Sequence, residues 1–185
     1  MGRVFVITGP SGVGKGTLIR SLLERVPELE LAVSATTREP RPGESDGVDY
    51  HFLSDAEFDG RVINGEFVEH AGYSGRRYGT LRSELERRLQ TGASVVLEIE
   101  VQGARQVAQA MPDAVRIFVK PPSEEALRAR LVGRGTDRPD QVEARLATAR
   151  EELAAQDEFD DVVVNDRLER AVEELERLVR SRMSA

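Results

Sequence analysis

The chain has 185 residues, 39% of them hydrophobic and 32% charged, with a formal net charge of −7, no cysteine and two histidines, His51 and His70. That length fits one domain with a full core, and the acidic balance argues against a general nucleic-acid surface. The missing cysteines exclude disulfides and cysteine-based zinc sites. No apolar run nears the roughly 20 residues a bilayer requires.

The N-terminal MGRVFVITGP has neither a signal-peptide cleavage site nor a myristoylation pattern, so the expectation is a cytoplasmic protein with no membrane partner. Residues 3–8, RVFVIT, are a continuous apolar and β-branched run that predicts a buried parallel strand. The loop GPSGVGKGT follows at 9–17. Its Gly9, Gly12 and Gly14 let the backbone curl around Ser11 and Val13, turning successive N–H groups toward a phosphate. A helix over 15–25 adds its positive N-terminal end, and Pro27 closes it. Only Lys15 and Lys120 of the 26 basic residues are lysine. A lysine kept at position 15 therefore points to a need for the compact ammonium, which would reach the β and γ phosphates of a nucleotide. Gly16 stands where the common pattern has Ser or Thr, and Thr17 moves the hydroxyl about 100° around the helix. Thr17 is thus not placed to hold a metal as the usual residue does, but its hydroxyl can donate to an α or β phosphate oxygen.

Residues 34–79 differ from the rest: they are rich in Gly, Pro, Asp and Ser, hold all three tyrosines and alternate over short pieces, with one helix near 55–63. Such a long insertion reads as a β-rich functional lobe. Helices are predicted over 80–91, 102–110, 123–133, 138–155 and 167–182, and strands over 93–101, 114–120 and 159–166. Strands alternating with helices predict an α/β fold: a parallel sheet core of the P-loop NTPase type, flanked by helices, with the small β-rich lobe added.

The Gly-Lys-Gly-Thr ending resembles the loop of adenylate kinases and other nucleoside monophosphate kinases, which implies magnesium held by nucleotide oxygens and water near Thr17, with no protein side chain as its direct ligand. A longer pattern is more specific: Thr36, Thr37, Arg38, Arg41, Gly43, Glu44, Gly47, Tyr50 and Phe52, then Glu-Phe-x-Glu ending at Glu69, then Tyr78-Gly79-Thr80. Over essentially the whole chain this resembles the guanylate kinase family. The resemblance implies transfer of phosphate from ATP, with Mg2+, to GMP and dGMP. It implies that Arg38, Arg41, Tyr50 and Tyr78 hold the GMP phosphate. Glu69 would accept from guanine N1–H and N2–H, and Ser34 and Thr80 would donate to O6. Glu98 and Glu100 replace the family's aspartates and imply contact with the guanine amino group or magnesium waters. Arg134 and Arg145 match lid positions that close over the transferred phosphoryl group, and Asn165 is implied at the adenine edge. Lys15, Arg38, Arg134 and Arg145 are the expected catalytic set. Arg130, Arg138 and Arg150 are expected on solvated helix faces. The expected division is a core of 1–33, 81–123 and 147–185, a GMP-binding lobe of 34–80 and a lid of 124–146, in a monomer or small homo-oligomer. Two other readings stand beside it. A non-catalytic interaction module of the same fold would not need the intact loop, and a kinase of a sugar phosphate would have no use for a guanine-reading Glu69.

Overall fold

A computed structural model describes residues 2–73, 75–133 and 138–184, with only the backbone of Tyr73. Its centre is β1 (Val4–Thr8), which pairs in parallel with β7 (Ser94–Glu98) on one side and β8 (Val115–Lys120) on the other. Outside these lie β2 (Leu29–Leu31) and β9 (Asp161–Val164), giving a five-stranded parallel sheet in the order β2-β7-β1-β8-β9. Both faces are covered, which is why β1 is apolar from Val4 through Ile7 instead of alternating. Phe5 and Ile7 pack on one side with Leu18 and Leu22 of α1 (Lys15–Arg25) and Val172 and Leu175 of α7 (Leu168–Met183). Val4 and Val6 face the other way, onto Leu85 of α3 (Arg82–Gln90) and Val107 of α4 (Val101–Ala110).

A second sheet carries β3 (Ala35–Thr36), β4 (His51–Phe52), β5 (Phe67–Tyr73) and β6 (Arg76–Leu81), in the order β4-β3-β6-β5. Helix α2 (Asp55–Ile63) starts in a reciprocal capping box between Ser54 and Glu57 and drops Phe58 against Phe67, Leu81 and Ala35. Helices α5 (Glu124–Gly133) and α6 (Pro139–Ala154) share a small core of Leu127, Leu131, Val142, Leu146 and Ala149.

The predicted elements correspond closely; the strand expected over 159–166 is shorter, running Asp161–Val164, and three further differences have a local cause. The strand expected over 93–101 ends at Glu98, because the chain turns at Glu100 to begin α4. The helix expected from residue 80 starts at Arg82, since residues up to Leu81 pair as β6. The edge strand β2 was not expected: three residues are too few to show a periodicity.

Candidate functional site

The central strand β1 delivers the glycine loop to the C-terminal edge of the sheet, where α/β folds bind ligands. Gly12 and Gly14 adopt φ of 90° and 97°, a left-handed geometry that costs other residues strain, and Gly14 caps α1. Lys15 folds back over this loop, its Nζ donating to the Gly9 carbonyl and, at 3.5 Å, to that of Pro10. Thr17 is exposed at the mouth, its hydroxyl accepting from Arg20 at 3.3 Å.

The loop is held from behind. Asn165, at the end of β9, is buried, and its Nδ2 donates to the Val13 carbonyl at 2.8 Å. Arg130 of α5 donates to the same carbonyl at 3.1 Å and to the Asn165 carbonyl at 2.7 Å. The solvated setting expected for Arg130 is therefore corrected: its planar fork spans two backbone oxygens, one on the loop and one after β9. Arg138 and Arg150 are exposed, paired with Asp140 and Glu124. Arg145 donates to the Ser11 hydroxyl at 3.0 Å. Arg134 lies outside the described residues.

Beside the loop is a recess of about 530 Å³, lined by Lys15, Thr17 and Arg20 among others, and it adjoins a second of about 480 Å³. Ser34, Tyr50, Glu98, Ile99 and Glu100 line both, so the two are ends of one cleft between the sheets. The far end holds Glu69, Tyr78 and Gly103. Glu69 is 4% exposed, and its Oε1 accepts the Thr80 hydroxyl at 2.7 Å. Burial pushes its carboxyl up from the ordinary value, and Thr80 offsets this only in part. Among the described residues no cation pairs with it, so it is a buried acceptor with lone pairs to spare. Helix α4 approaches it so closely that a Cβ on Gly103 would stand 2.6 Å from Glu69 Oε2.

At the rim, Arg38 lies over the Tyr50 ring at 5.2 Å, and Tyr50 meets Tyr78 edge-on at 6.2 Å. Glu44 accepts from Arg38 at 2.8 Å and from the Arg41 backbone at 2.7 Å, so one carboxylate orders both arginine positions. Burial pushes the Tyr50 phenol up, which keeps it a hydrogen-bond donor at neutral pH.

The floor is acidic. Glu98 ends β7 beside Gly16, where a Cβ would lie 3.8 Å from its Oε1. Its carboxyl is raised by burial, against the pull of Lys15 and Arg20. Glu100 caps α4 and lines the recess together with Glu152 of α6. Burial and that neighbour push Glu152 up to about 7. The structure thus brings Ser34, Tyr50, Glu69, Tyr78, Thr80, Glu98 and Glu100 to one cleft with the phosphate loop. Arg41 is exposed at its edge. Sequence reasoning missed Arg130 and Glu152. An arginine-rich chain conceals the first, and the charged run around Glu152 conceals the second.

Fold and site together define a nucleotide-binding α/β protein with a phosphate loop and a second, polar recess facing it. A family model described as "Guanylate kinase" matches residues 1–182. The chain is 56% identical over 179 residues to guanylate kinase of Rubrobacter xylanophilus, covering 97% of this chain and 94% of that one. It is 54% identical over 179 residues to guanylate kinase of Gloeobacter violaceus, covering 97% and 87%. A crystal structure of guanylate kinase from Anaplasma phagocytophilum superimposes with a TM-score of 0.78 at 34% identity, over 100% of this chain and 87% of that one. The chain belongs to the guanylate kinase family.

Proposed function

We propose that this protein transfers the γ-phosphoryl group of ATP to GMP, and to dGMP, releasing ADP with GDP or dGDP in the cytoplasm. The observation that carries the reading is Glu69: a buried carboxylate with free lone pairs, in a recess continuous with the phosphate loop. Guanine offers N1–H and N2–H side by side, which a carboxylate accepts together; adenine lacks both donors. A site built this way rejects the wrong base because its own buried acceptor is left unpaired. Thr80 has one hydroxyl proton and gives it to Glu69, so Ser34 is the donor that remains for O6.

Arg38, Arg41, Tyr50 and Tyr78 then hold the GMP phosphate by bidentate and phenolic hydrogen bonds. Lys15 exchanges the Gly9 and Pro10 carbonyls for β- and γ-phosphate oxygens, and Thr17 donates to phosphate. Arg145, with Arg134, approaches the transferred group from a lid of 124–146, while the lobe of 34–80 closes from the other side and excludes water. Asn165 serves ATP by fixing the loop at Val13. No general base is needed: an anionic GMP oxygen attacks phosphorus in line and ADP leaves, so positioning and charge stabilisation carry the rate.

The residues fit a hydrated magnesium ion held by nucleotide oxygens. Gly16 places no side chain between Glu98 and the loop mouth, which leaves room for an ion with its waters and makes no side chain its ligand. Magnesium, when bound with ATP, would supply neutralisation of charge on the nucleotide phosphates.

An ADP-release assay with ATP, Mg2+ and GMP, dGMP, AMP or UMP tests the reading. Turnover with GMP and dGMP far above AMP and UMP is expected. No ADP release with GMP, or equal rates with AMP, overturns it.

A further inference from the structure

Strand β5 departs from the usual alternation of faces at the residue that matters most to the cleft. Phe67 and His70 both pack on Phe58 of the lobe, with ring centroids 4.5 Å and 6.2 Å away. Between them, Val68 joins Ala104 and Val107 of α4 in the main core, and Glu69 enters the cleft beside Gly103. A regular strand sends neighbouring side chains to opposite faces, so Phe67 and His70 could not share one. The register of β5 against β6 slips between Phe67 and Glu69, which makes Val68 the extra residue of a β-bulge. The bulge turns Glu69 toward the cleft, but it does so where the ladder that would fix the strand is interrupted.

Strand β5 is also the outer strand of its sheet. Such an edge leaves N–H and C=O groups without strand partners. At His70, the residue after Glu69, Gln106 of α4 meets both groups. The His70 N–H donates to Gln106 Oε1 at 3.1 Å, and Gln106 Nε2 donates to the His70 carbonyl at 2.8 Å. A side-chain amide has the donor and the acceptor of a peptide, so Gln106 stands in for one residue of a missing strand. Gly103 and Gln106 are three apart on α4 and share a face. The first leaves room for the Glu69 carboxylate, and the second clamps the backbone next to it.

We infer that Gln106 is a positioning residue for base recognition: through the His70 backbone it holds the bulged strand on α4 and so fixes the aim of the Glu69 carboxylate. The inference rests on the reading of Glu69 as the acceptor for guanine. The Val68 contact keeps β5 near α4, but apolar burial is not directional and does little to resist sliding. Thr80 bonds Glu69 from the neighbouring strand of the same sheet, so that bond moves with the lobe. Two hydrogen bonds to one backbone residue define a position along the helix, because each weakens steeply when its angle is lost.

Inosine monophosphate, which has N1–H but no 2-amino group, is the probe. The ratio of kcat/KM for GMP to that for inosine monophosphate measures how well one carboxylate grips two donors. It is measured on the whole protein with ATP and Mg2+. Gln106→Met keeps the length of the side chain and its helix propensity, but supplies no N–H and only a weak acceptor. Weakened folding alone lowers the amount of active protein and leaves the ratio where it was.

In Gln106→Met, KM for GMP is expected to rise roughly tenfold and the ratio to fall about three- to fivefold, with KM for ATP within about twofold of wild type. Gln106→Glu keeps an acceptor for the His70 N–H but sets a carboxylate oxygen against the His70 carbonyl, and it should lower the ratio too. Gln109→Met, at an exposed position on the next turn of α4, should match wild type. An unchanged ratio in Gln106→Met overturns the inference, as does an equal fall in Gln109→Met or a rise of KM for ATP in step with that for GMP. Should Gln106→Met not fold, Gln106→Glu decides alone by the same ratio. A wild type idle with GMP refutes the proposed reaction and this inference with it. A wild type that prefers GMP, beside Gln106 variants that keep its ratio, removes the inference and leaves the reaction standing.

Discussion

Two buried carboxylates, one at the far end of the cleft and one at the root of α3, show how the same side chain is used in opposite ways. Glu69 is 4% exposed and Glu84 5% exposed, so water covers little of either side chain. Burial pushes Glu84 up, as it does Glu69, but Arg88 at 2.5 Å, Arg87 at 3.0 Å and the Val33 N–H outweigh it, and its net direction is down. Glu69 has only Thr80 and stays raised. A carboxylate saturated by its own chain joins α3 to the segment after β2, and it is structural. One left with vacant lone pairs in a recess is waiting for donors from outside. The contrast locates binding energy held in reserve at Glu69 and fold stability at Glu84.

Glu69→Gln should break the comparison hardest. Substitution turns one acceptor into a donor facing donors, so kcat/KM for GMP is expected to fall about 10²–10³-fold, roughly 3–4 kcal/mol. ATP affinity should stay within about twofold; if both nucleotides weaken together, Glu69 does not read the base. The empty variant should melt a little above wild type at neutral pH. The folded carboxyl sits above its unfolded value of 4.5, so burying the charge costs stability that is recovered as pH falls through the folded value. The difference between the two proteins should then shrink toward acid pH.

Glu84→Gln should behave in the reverse sense. Here the folded value lies below 4.5, so the stabilisation is present above that pH and is lost as pH falls through the folded value. Urea unfolding at neutral pH should show a loss of about 2–3 kcal/mol, below the usual cost of breaking a buried pair because Arg87 is largely exposed and regains water. The gap from wild type should close in acid, while kcat for GMP at low temperature is kept. A gap that widens in acid would assign Glu84 to the wrong side of the contrast.

Most of the core was legible because its signals are local. A strand covered on both faces is apolar from end to end, and the glycine loop joins such a strand to a helix, so β1, the loop and α1 read directly from residues 3–25. β2 was silent because three residues carry no period. The turn at Glu100 was read as strand because LEIEV alternates well enough to hide a helix cap. In the cleft, Glu69 and Thr80 are adjacent partners across β5 and β6, and the resemblance pointed to both. Arg130 acts on a loop far away in sequence, and nothing in its own neighbourhood says so. A helix face can be read from one sequence, but not what stands opposite it.

The smallest expected effect comes from Gly103, whose value to the Glu69 side of the contrast lies in what it leaves empty. Within α4 an alanine would favour the helix by about 0.8–1 kcal/mol over glycine. Its Cβ would fall 2.6 Å from Glu69 Oε2, 3.2 Å from Cδ and 3.4 Å from the Ile99 Cδ1, and crowding of that degree typically costs about 1–3 kcal/mol. The two nearly cancel, so the melting temperature of Gly103→Ala should move by only a few degrees. Function should not cancel. The carboxylate is the part of this contact able to give way, and moving it by a few tenths of an ångström loosens its grip on paired N–H donors. A rise in KM for GMP of roughly tenfold is expected, with KM for ATP unchanged and no gain for AMP, since Glu69 is displaced but still an acceptor. If stability falls sharply while GMP use is untouched, the close approach serves helix packing alone, and Glu69 is less finely held than Glu84.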